Sequence, residues 1–220
     1  MLQPTNILTK RQLQFLDLFS ESPLVNNFYL SGGTALCGFY YPFRYSDDLD
    51  FFSFEEFSSQ SVIIWIRSIK SKLKYKSFDV QQVFNRNLLF LEFADVVFKT
   101  EFTYYPFPTS DSGMYKNITV DSVTDIAANK LFTIYQQPRL RDFYDLFVIL
   151  QDLPEVGLDK LRLLAKAKFD WDIDILQLTS QFLKVTELQD DPVLLEEITR
   201  KSVEQFFLEK IQILSKEVIV

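Results

Sequence analysis

Residues 30–54 read LSGGTALCGFYYPFRYSDDLDFFSF and hold three of the chain's five glycines and three aspartates within four positions. The run DLDFFSF at 48–54 is typical of a β-strand, because aromatic residues favour strands. Residues i and i+2 of a strand face the same way, so Asp48 and Asp50 would lie side by side. Unpaired carboxylates at the start of a buried strand are costly, which indicates a cation between them.

A carboxylate pair of this kind suits phosphate chemistry, in which it holds two Mg²⁺ ions about 3.5–4 Å apart. A third carboxylate on a neighbouring strand usually completes the site, and Glu101 in VVFKTEF is the candidate. Asp95 fits less well, since it lies near a strand end. The alternative is that Asp47, Asp48 and Asp50 form a solvated loop or an Asx turn, because short motifs recur by accident.

Gly32 and Gly33 follow a short strand, FYL, and precede a brief helical segment. Two glycines let backbone N–H groups approach a phosphate at the start of a helix, and Ser31 or Thr34 could add a hydroxyl. The alternative is an ordinary tight turn. Because the glycines precede the aspartate pair within one strand–turn–helix–strand unit, the two signals together predict a phosphate site beside a metal site.

The composition excludes several kinds of catalysis. The chain has 220 residues, one cysteine and no histidine, so Ser-His-Asp and Cys-His catalysis and imidazole-bound zinc are excluded.

The acidic side chains are unevenly distributed. Net charge is −7, and residues 1–108 carry 10 basic and 11 acidic side chains against 13 and 19 in residues 109–220. A polyanion site is therefore expected on the first half or at the junction. No apolar run approaches the roughly 20 residues that span a bilayer, so we expect a soluble, cytoplasmic protein.

The patterning predicts an α+β protein in two parts. Residues 1–108 form an α/β core with a mixed sheet flanked by helices, which ends at Pro106 and Pro108. Residues 109–220 form an all-helical part, beginning with a helix from Asp121 to Gln136.

Lys130 is predicted on the inward face of that first helix, where a lysine needs an anionic partner. Alternatively it is a snorkelling lysine or part of a structural ion pair. In the next helix, Asp142 and Asp145 lie three residues apart on one face, and with Arg139 and Arg141 they could be surface pairs of small worth.

Four stretches together resemble the AbiEii/AbiGii nucleotidyltransferase toxins of bacterial type IV toxin–antitoxin systems, within the polymerase-β-like nucleotidyltransferase superfamily. They are GGTAL at 32–36, R-x-S-x-D-L-D-F at 44–51, FTYYPFP at 102–108 and DIAANKLFTIYQQPRLRDFYDLFVIL at 125–150. The resemblance spans roughly residues 28–150 and implies a polymerase-β-like core followed by a helical part that contributes to the active site.

The resemblance also implies residue roles. Gly32, Gly33 and Thr34 would bind the triphosphate, where many members have serine at the third position. Asp48 and Asp50 would bind Mg²⁺, with Glu101 as a third ligand where aspartate is more usual. The roles from the rest of the motif set are a phosphate contact from Lys130, an active-site position for Asp142 beside Asp145, and a phosphate or acceptor contact from Arg44.

The expected function is Mg²⁺-dependent transfer of a nucleoside monophosphate from a nucleoside triphosphate to an acceptor hydroxyl, with RNA, at a tRNA 3′ end, as the leading acceptor. The antitoxin would be a partner that need not contact the toxin. The alternatives are transfer to a small molecule or a protein side chain, and a non-catalytic nucleotide-binding or interaction module.

The run RSIKSKLKYK at 67–76 contains five basic residues and Tyr75. It could guide RNA or simply be a solvated surface.

Overall fold

The computed structural model describes the backbone of residues 1–218. It divides into two compact units, Met1–Ser122 and Val123–Val220. No helix within residues 1–218 is long and apolar enough to cross a membrane.

The first unit is built on a seven-stranded sheet in the order β3-β4-β5-β2-β1-β7-β6. Its pairing is mixed, because β2 runs parallel to β5 and β1 parallel to β7, while the other neighbours are antiparallel. The strands are β1 Tyr29–Ser31, β2 Leu49–Ser53, β3 Ser77–Val83, β4 Arg86–Glu92, β5 Val97–Tyr104, β6 Ser112–Tyr115 and β7 Ile118–Asp121.

Four helices accompany this sheet: α1 Lys10–Ser20, α2 Gly32–Phe39, α3 Ser59–Ser68 and α4 Lys70–Leu73. Helix α1 begins with a capping box, in which Thr9 and Gln12 satisfy each other's backbone N–H groups.

One face of the sheet is a phenylalanine core, which accounts for much of the chain's aromatic content. The Phe19 ring lies 4.3 Å from that of Phe51, which stacks at 4.9 Å on Phe102. Trp65 of α3 meets Phe15 edge-on at 5.3 Å. Because side chains alternate along a strand, Asp50, next to Phe51, and Glu101, next to Phe102, face the other side of the sheet.

The second unit is helical, with α5 Val123–Gln136, α6 Leu140–Asp152, α7 Leu158–Phe169, α8 Ile175–Leu183 and α9 Arg200–Val218. Its core is also aromatic. The Phe207 ring of α9 lies 4.9 Å from that of Phe143 and 5.0 Å from that of Phe182.

The α+β class is confirmed, but the sheet extends further along the chain than residue 108. Strands β6 and β7 occupy residues 112–121, where the sequence predicted the helical part to begin, because β7 finds a parallel partner in β1. Asp121 therefore ends a strand, and the first helix of the second unit begins at Val123. Nothing in the local pattern of residues 109–121 reveals that long-range pairing.

Candidate active site

The glycine turn lies where β1 meets α2. Gly32 has a φ of +74°, and a Cβ added to it would lie 2.5 Å from Oδ2 of Asp50. A Cβ on Gly33 would overlap the guanidinium of Arg44. Glycine at these two positions lets the backbone at the start of α2 lie directly against one of the predicted aspartates and against a cation.

Asp48 and Asp50 lie at and just before the start of β2. Asp50 pairs in register with Ser31 of β1 on one side and with Glu101 of β5 on the other. Lys99 of β5 donates a 2.6 Å hydrogen bond to Oδ2 of Asp48. The structure therefore brings the aspartate pair to the end of β1 that carries the glycine turn, as the sequence predicts, and adds a lysine that the sequence reasoning missed.

Thr34 and Arg44 are both buried. The Thr34 hydroxyl bonds Ser46 Oγ at 2.9 Å and donates to the backbone carbonyl of Asp48. Arg44 is 3% exposed and donates from Nη1 to the Tyr45 carbonyl at 2.8 Å. The Thr34 hydroxyl thus ties α2 to the segment that carries the aspartates, which leaves its backbone N–H as the group suited to a phosphate. The predicted roles of Thr34 and Arg44 on substrate stay predictions.

Glu101 is held by three hydrogen bonds. Arg86 of β4 donates from Nε and Nη2 at 2.6 Å each, and the Thr103 hydroxyl donates at 2.6 Å. Burial opposes the charged form of Glu101, but the hydrogen bonds from Arg86 and Thr103 and the charges of Arg86 and Lys99 together outweigh burial and lower its pKa. Glu101 is therefore an ionised carboxylate that is already paired with a cation.

The donor set at Asp48 and Asp50 fits Mg²⁺, a hard cation that takes carboxylate oxygens and water. The Asp48 side chain is 28% exposed, so water can reach it. Within the described residues 1–218, however, no group of three or more Asp, Glu, His or Cys side chains is arranged to hold a metal. The expected three-carboxylate site is not assembled, because both oxygens of Glu101 bind Arg86 instead. Asp95 also lies apart, paired with Arg11 at 3.1 Å.

The second unit contains a buried charge network at the positions singled out by the sequence. Lys130 of α5 lies 2.7 Å from Asp142 and 2.6 Å from Asp145, both fully buried on α6. Arg139 donates to Asp142 at 2.9 Å. The anionic partner predicted for Lys130 is confirmed, and the alternative of weak surface pairs is wrong for Asp142 and Asp145. Contact of Lys130 with a nucleotide stays a prediction.

The network shifts the titration of Asp142. Burial alone would raise its pKa, but the charges of Lys130 and Arg139 and their hydrogen bonds reverse that effect and lower the pKa to about 2. Asp142 is therefore an anion at any physiological pH.

Lys99 and Arg86 are the two charged residues at this face that sequence reasoning missed. The signal for Lys99 was present, since it is two residues from Glu101 and shares its face. Arg86 has no such signal, because its neighbours depend on the antiparallel register of β4 with β5.

Comparison with known proteins agrees with this fold. The family model of the nucleotidyl transferase AbiEii toxin, type IV toxin–antitoxin system, matches residues 14–216. An uncharacterized protein of Aquifex aeolicus (strain VF5) is 31% identical over 215 residues, covering 93% of this chain and 96% of that protein.

Two crystal structures from Helicobacter pylori share the fold at low identity. A protein described as a candidate nucleotidyltransferase has a TM-score of 0.65 and 15% identity, with 96% of this chain and 97% of that chain covered. JHP933 has a TM-score of 0.58 and 16% identity, with 95% and 94% covered.

Proposed function

Because this chain belongs to the AbiEii family of nucleotidyl transferase toxins of type IV toxin–antitoxin systems, we propose that it transfers a nucleoside monophosphate from a nucleoside triphosphate to a hydroxyl of RNA, at a tRNA 3′ end. The observation that carries the proposal is the direct approach of Asp50 to Gly32. It puts an oxygen donor for a cation next to backbone N–H groups suited to a phosphate.

Each group then has a distinct task. The first N–H groups of α2 bind the triphosphate, favoured by the positive end of the helix dipole. Asp48 and Asp50 would hold Mg²⁺, which would neutralise phosphate charge and favour loss of the acceptor hydroxyl's proton. Lys99, 2.6 Å from Asp48, keeps that carboxylate paired before the cation arrives.

The reaction forms a bond between the acceptor oxygen and the α-phosphorus and breaks the bond from that phosphorus to the bridging oxygen. Pyrophosphate leaves with the electron pair, and the hydroxyl proton passes to water. No covalent intermediate with the protein is needed, so catalysis rests on positioning and on charge stabilisation. A cognate antitoxin, which need not contact this chain, is the partner we propose, and the setting is the cytoplasm.

The test is incubation of the purified protein with Mg²⁺ and each of the four α-³²P nucleoside triphosphates. Deacylated tRNA, an aminoglycoside mixture and the protein alone serve as separate acceptors. We expect labelled tRNA with one nucleotide or a subset, and no label from the γ-³²P form, because the γ-phosphate leaves in pyrophosphate. Label on the aminoglycoside or the protein instead would move the proposal to those acceptors. Absence of nucleotide binding by the purified protein would exclude the proposed nucleotidyl transfer activity.

A further inference from the structure

The pair of Arg86 and Glu101 is built like an anion receptor. A guanidinium carries five N–H donors in a fixed plane, and Glu101 accepts from Nε and Nη2 only. The Glu101 side chain is 7% exposed, whereas that of Arg86 is 49% exposed. A buried carboxylate therefore fixes the orientation of a guanidinium whose outer edge is open to solvent, and Thr103 in turn fixes the carboxylate.

The sheet order places this guanidinium on a definite side of the aspartates. The glycine turn follows β1, the aspartates begin β2, and Arg86 begins β4, in the spatial order β4-β5-β2-β1. With strands about 4.8 Å apart, β4 lies roughly 14 Å from β1. Across the sheet, Arg86 and the glycine turn are thus on opposite sides of Asp50.

In-line transfer assigns a substrate to each side. The attacking and leaving oxygens lie on opposite sides of the phosphorus. If the triphosphate, with its leaving pyrophosphate, occupies the glycine turn, the acceptor approaches from the β5–β4 side. That side presents Arg86.

We propose that Arg86, oriented by Glu101, binds a backbone phosphate of the RNA acceptor, and that Glu101 is a positioning residue rather than a metal ligand. This assignment rests on the proposed function. A guanidinium edge suits a phosphate because it can donate two parallel, charge-assisted hydrogen bonds. The same edge disfavours a cationic acceptor such as an aminoglycoside.

The test compares RNA binding with nucleotide binding in five proteins: the wild type, Arg86→Ala, Arg86→Lys, Glu101→Gln and Arg11→Ala. Arg11 is the matched control, because it also pairs with a carboxylate of the first unit, Asp95 at 3.1 Å. Deacylated total tRNA is the RNA probe, titrated between 50 and 200 mM salt. Nucleoside triphosphate binding is measured by calorimetry at a series of Mg²⁺ concentrations.

We expect Arg86→Ala to weaken tRNA binding about tenfold and to reduce the slope of log K against log salt by about one. Its nucleotide affinity should stay within about twofold of wild type. Glu101→Gln should weaken tRNA binding in the same direction and leave the Mg²⁺ concentration for half-maximal nucleotide binding unchanged. Arg11→Ala should match wild type in both measurements, and Arg86→Lys, which keeps the charge, should fold and bind tRNA with intermediate affinity.

Two results would overturn the assignment while leaving nucleotidyl transfer in place. One is a tenfold higher Mg²⁺ requirement in Glu101→Gln, which would make Glu101 a metal ligand. The other is a tRNA affinity of Arg86→Ala equal to that of wild type. A wild type that binds nucleotide but no tRNA counts as this second result, because Arg86 then has no RNA to bind. A wild-type protein that binds no nucleotide would instead overturn the proposed function itself.

Discussion

Gly32 is required at its position for two separate reasons, one conformational and one steric. Its φ of +74° lies in the left-handed region, and its Cα faces the Asp50 carboxylate with no room for a Cβ. Gly157 has a φ of +44°, but the nearest atom to an added Cβ there is 3.8 Å away. Substitution of Gly157 would therefore test backbone strain alone, whereas substitution of Gly32 would test backbone strain together with the clash with Asp50.

We predict that Gly32→Ala lowers the free energy of unfolding by about 2–3 kcal/mol and abolishes nucleotide transfer, since Asp50 must move. Gly157→Ala should cost about 1 kcal/mol and leave transfer unchanged. Chemical denaturation and the transfer assay measure both quantities. Equal effects of the two substitutions on transfer would show that the contact with Asp50 is unimportant.

The sequence predicts the position of individual residues where that position depends only on neighbouring residues in the chain. The start of a strand at the aspartates is found at Leu49, with Asp50 in β2 and Asp48 just before it, and the glycine turn is found directly after β1. The Arg86–Glu101 pair and the Thr34 hydroxyl bond to the Asp48 carbonyl could not be predicted, because each joins segments whose register only the folded sheet defines.

Among the elements, α5 and α6 are linked by charge as well as by apolar packing. Lys130 of α5 is buried against two aspartates of α6, with 8% of its side chain exposed. Removing one partner of a buried ion pair leaves an uncompensated charge, which costs far more than losing a surface pair.

Lys130→Met is therefore expected to lower the free energy of unfolding by about 3–5 kcal/mol, because Asp142 and Asp145 remain buried without their cation. Lys166→Met is the matched control, since Lys166 pairs with Asp172 at an exposed site and should change stability by less than about 1 kcal/mol. Denaturant titration at pH 7 compares them. A similar small loss for both variants would mean that the buried network contributes little.

The same network predicts how stability depends on pH. The folded pKa of Asp142 is lowered from 3.8 to about 2, so its contribution is complete above about pH 4 and is lost as pH falls toward 2. The shift corresponds to roughly 2 kcal/mol. Asp142→Asn should flatten the stability profile between pH 4 and pH 2. Unfolding curves at half-unit pH steps give the profile, and an unchanged slope in Asp142→Asn would contradict it.

The boundaries of the helices and strands show which elements the sequence pattern predicts and which it does not. The helix from Asp121 to Gln136 was predicted within two residues, since α5 runs from Val123 to Gln136. Strands β6 and β7 were not, because four-residue strands carry little periodicity of their own and depend on their pairing with β1.

Across the whole molecule, charge is unevenly divided. Residues 1–122 carry 11 basic and 13 acidic side chains, and residues 123–220 carry 12 and 17, so the units have net charges of −2 and −5. The basic residues of the run 67–76 are all exposed, but Tyr75 is buried and donates to the Ile66 carbonyl at 2.9 Å. Tyr75 is thus a core residue and is not available to stack on a base.

The run precedes β3, whose first residue pairs with Glu92, whereas Arg86 lies at the other end of β4. Six residues of strand place the two ends about 20 Å apart. We therefore predict that joint substitution of Lys70, Lys72 and Lys74 by alanine changes tRNA affinity by less than about threefold at 150 mM salt, consistent with a solvated surface. Filter binding measures the affinity, and a tenfold loss would make the run part of the RNA site.

We propose that Asp48 and Asp50 form the metal-binding pair of a nucleotidyltransferase, and Asp47 provides an internal control because it is exposed in the same stretch. The most direct measurement is single-turnover transfer of α-³²P label to tRNA by wild type, Asp47→Asn, Asp48→Asn and Asp50→Asn. Because metal coordination supplies several kcal/mol of transition-state stabilisation, Asp48→Asn and Asp50→Asn should each be slower by about a hundredfold or more. Asp47→Asn should stay within about threefold of wild type, and transfer that survives in Asp48→Asn or Asp50→Asn would contradict the claim.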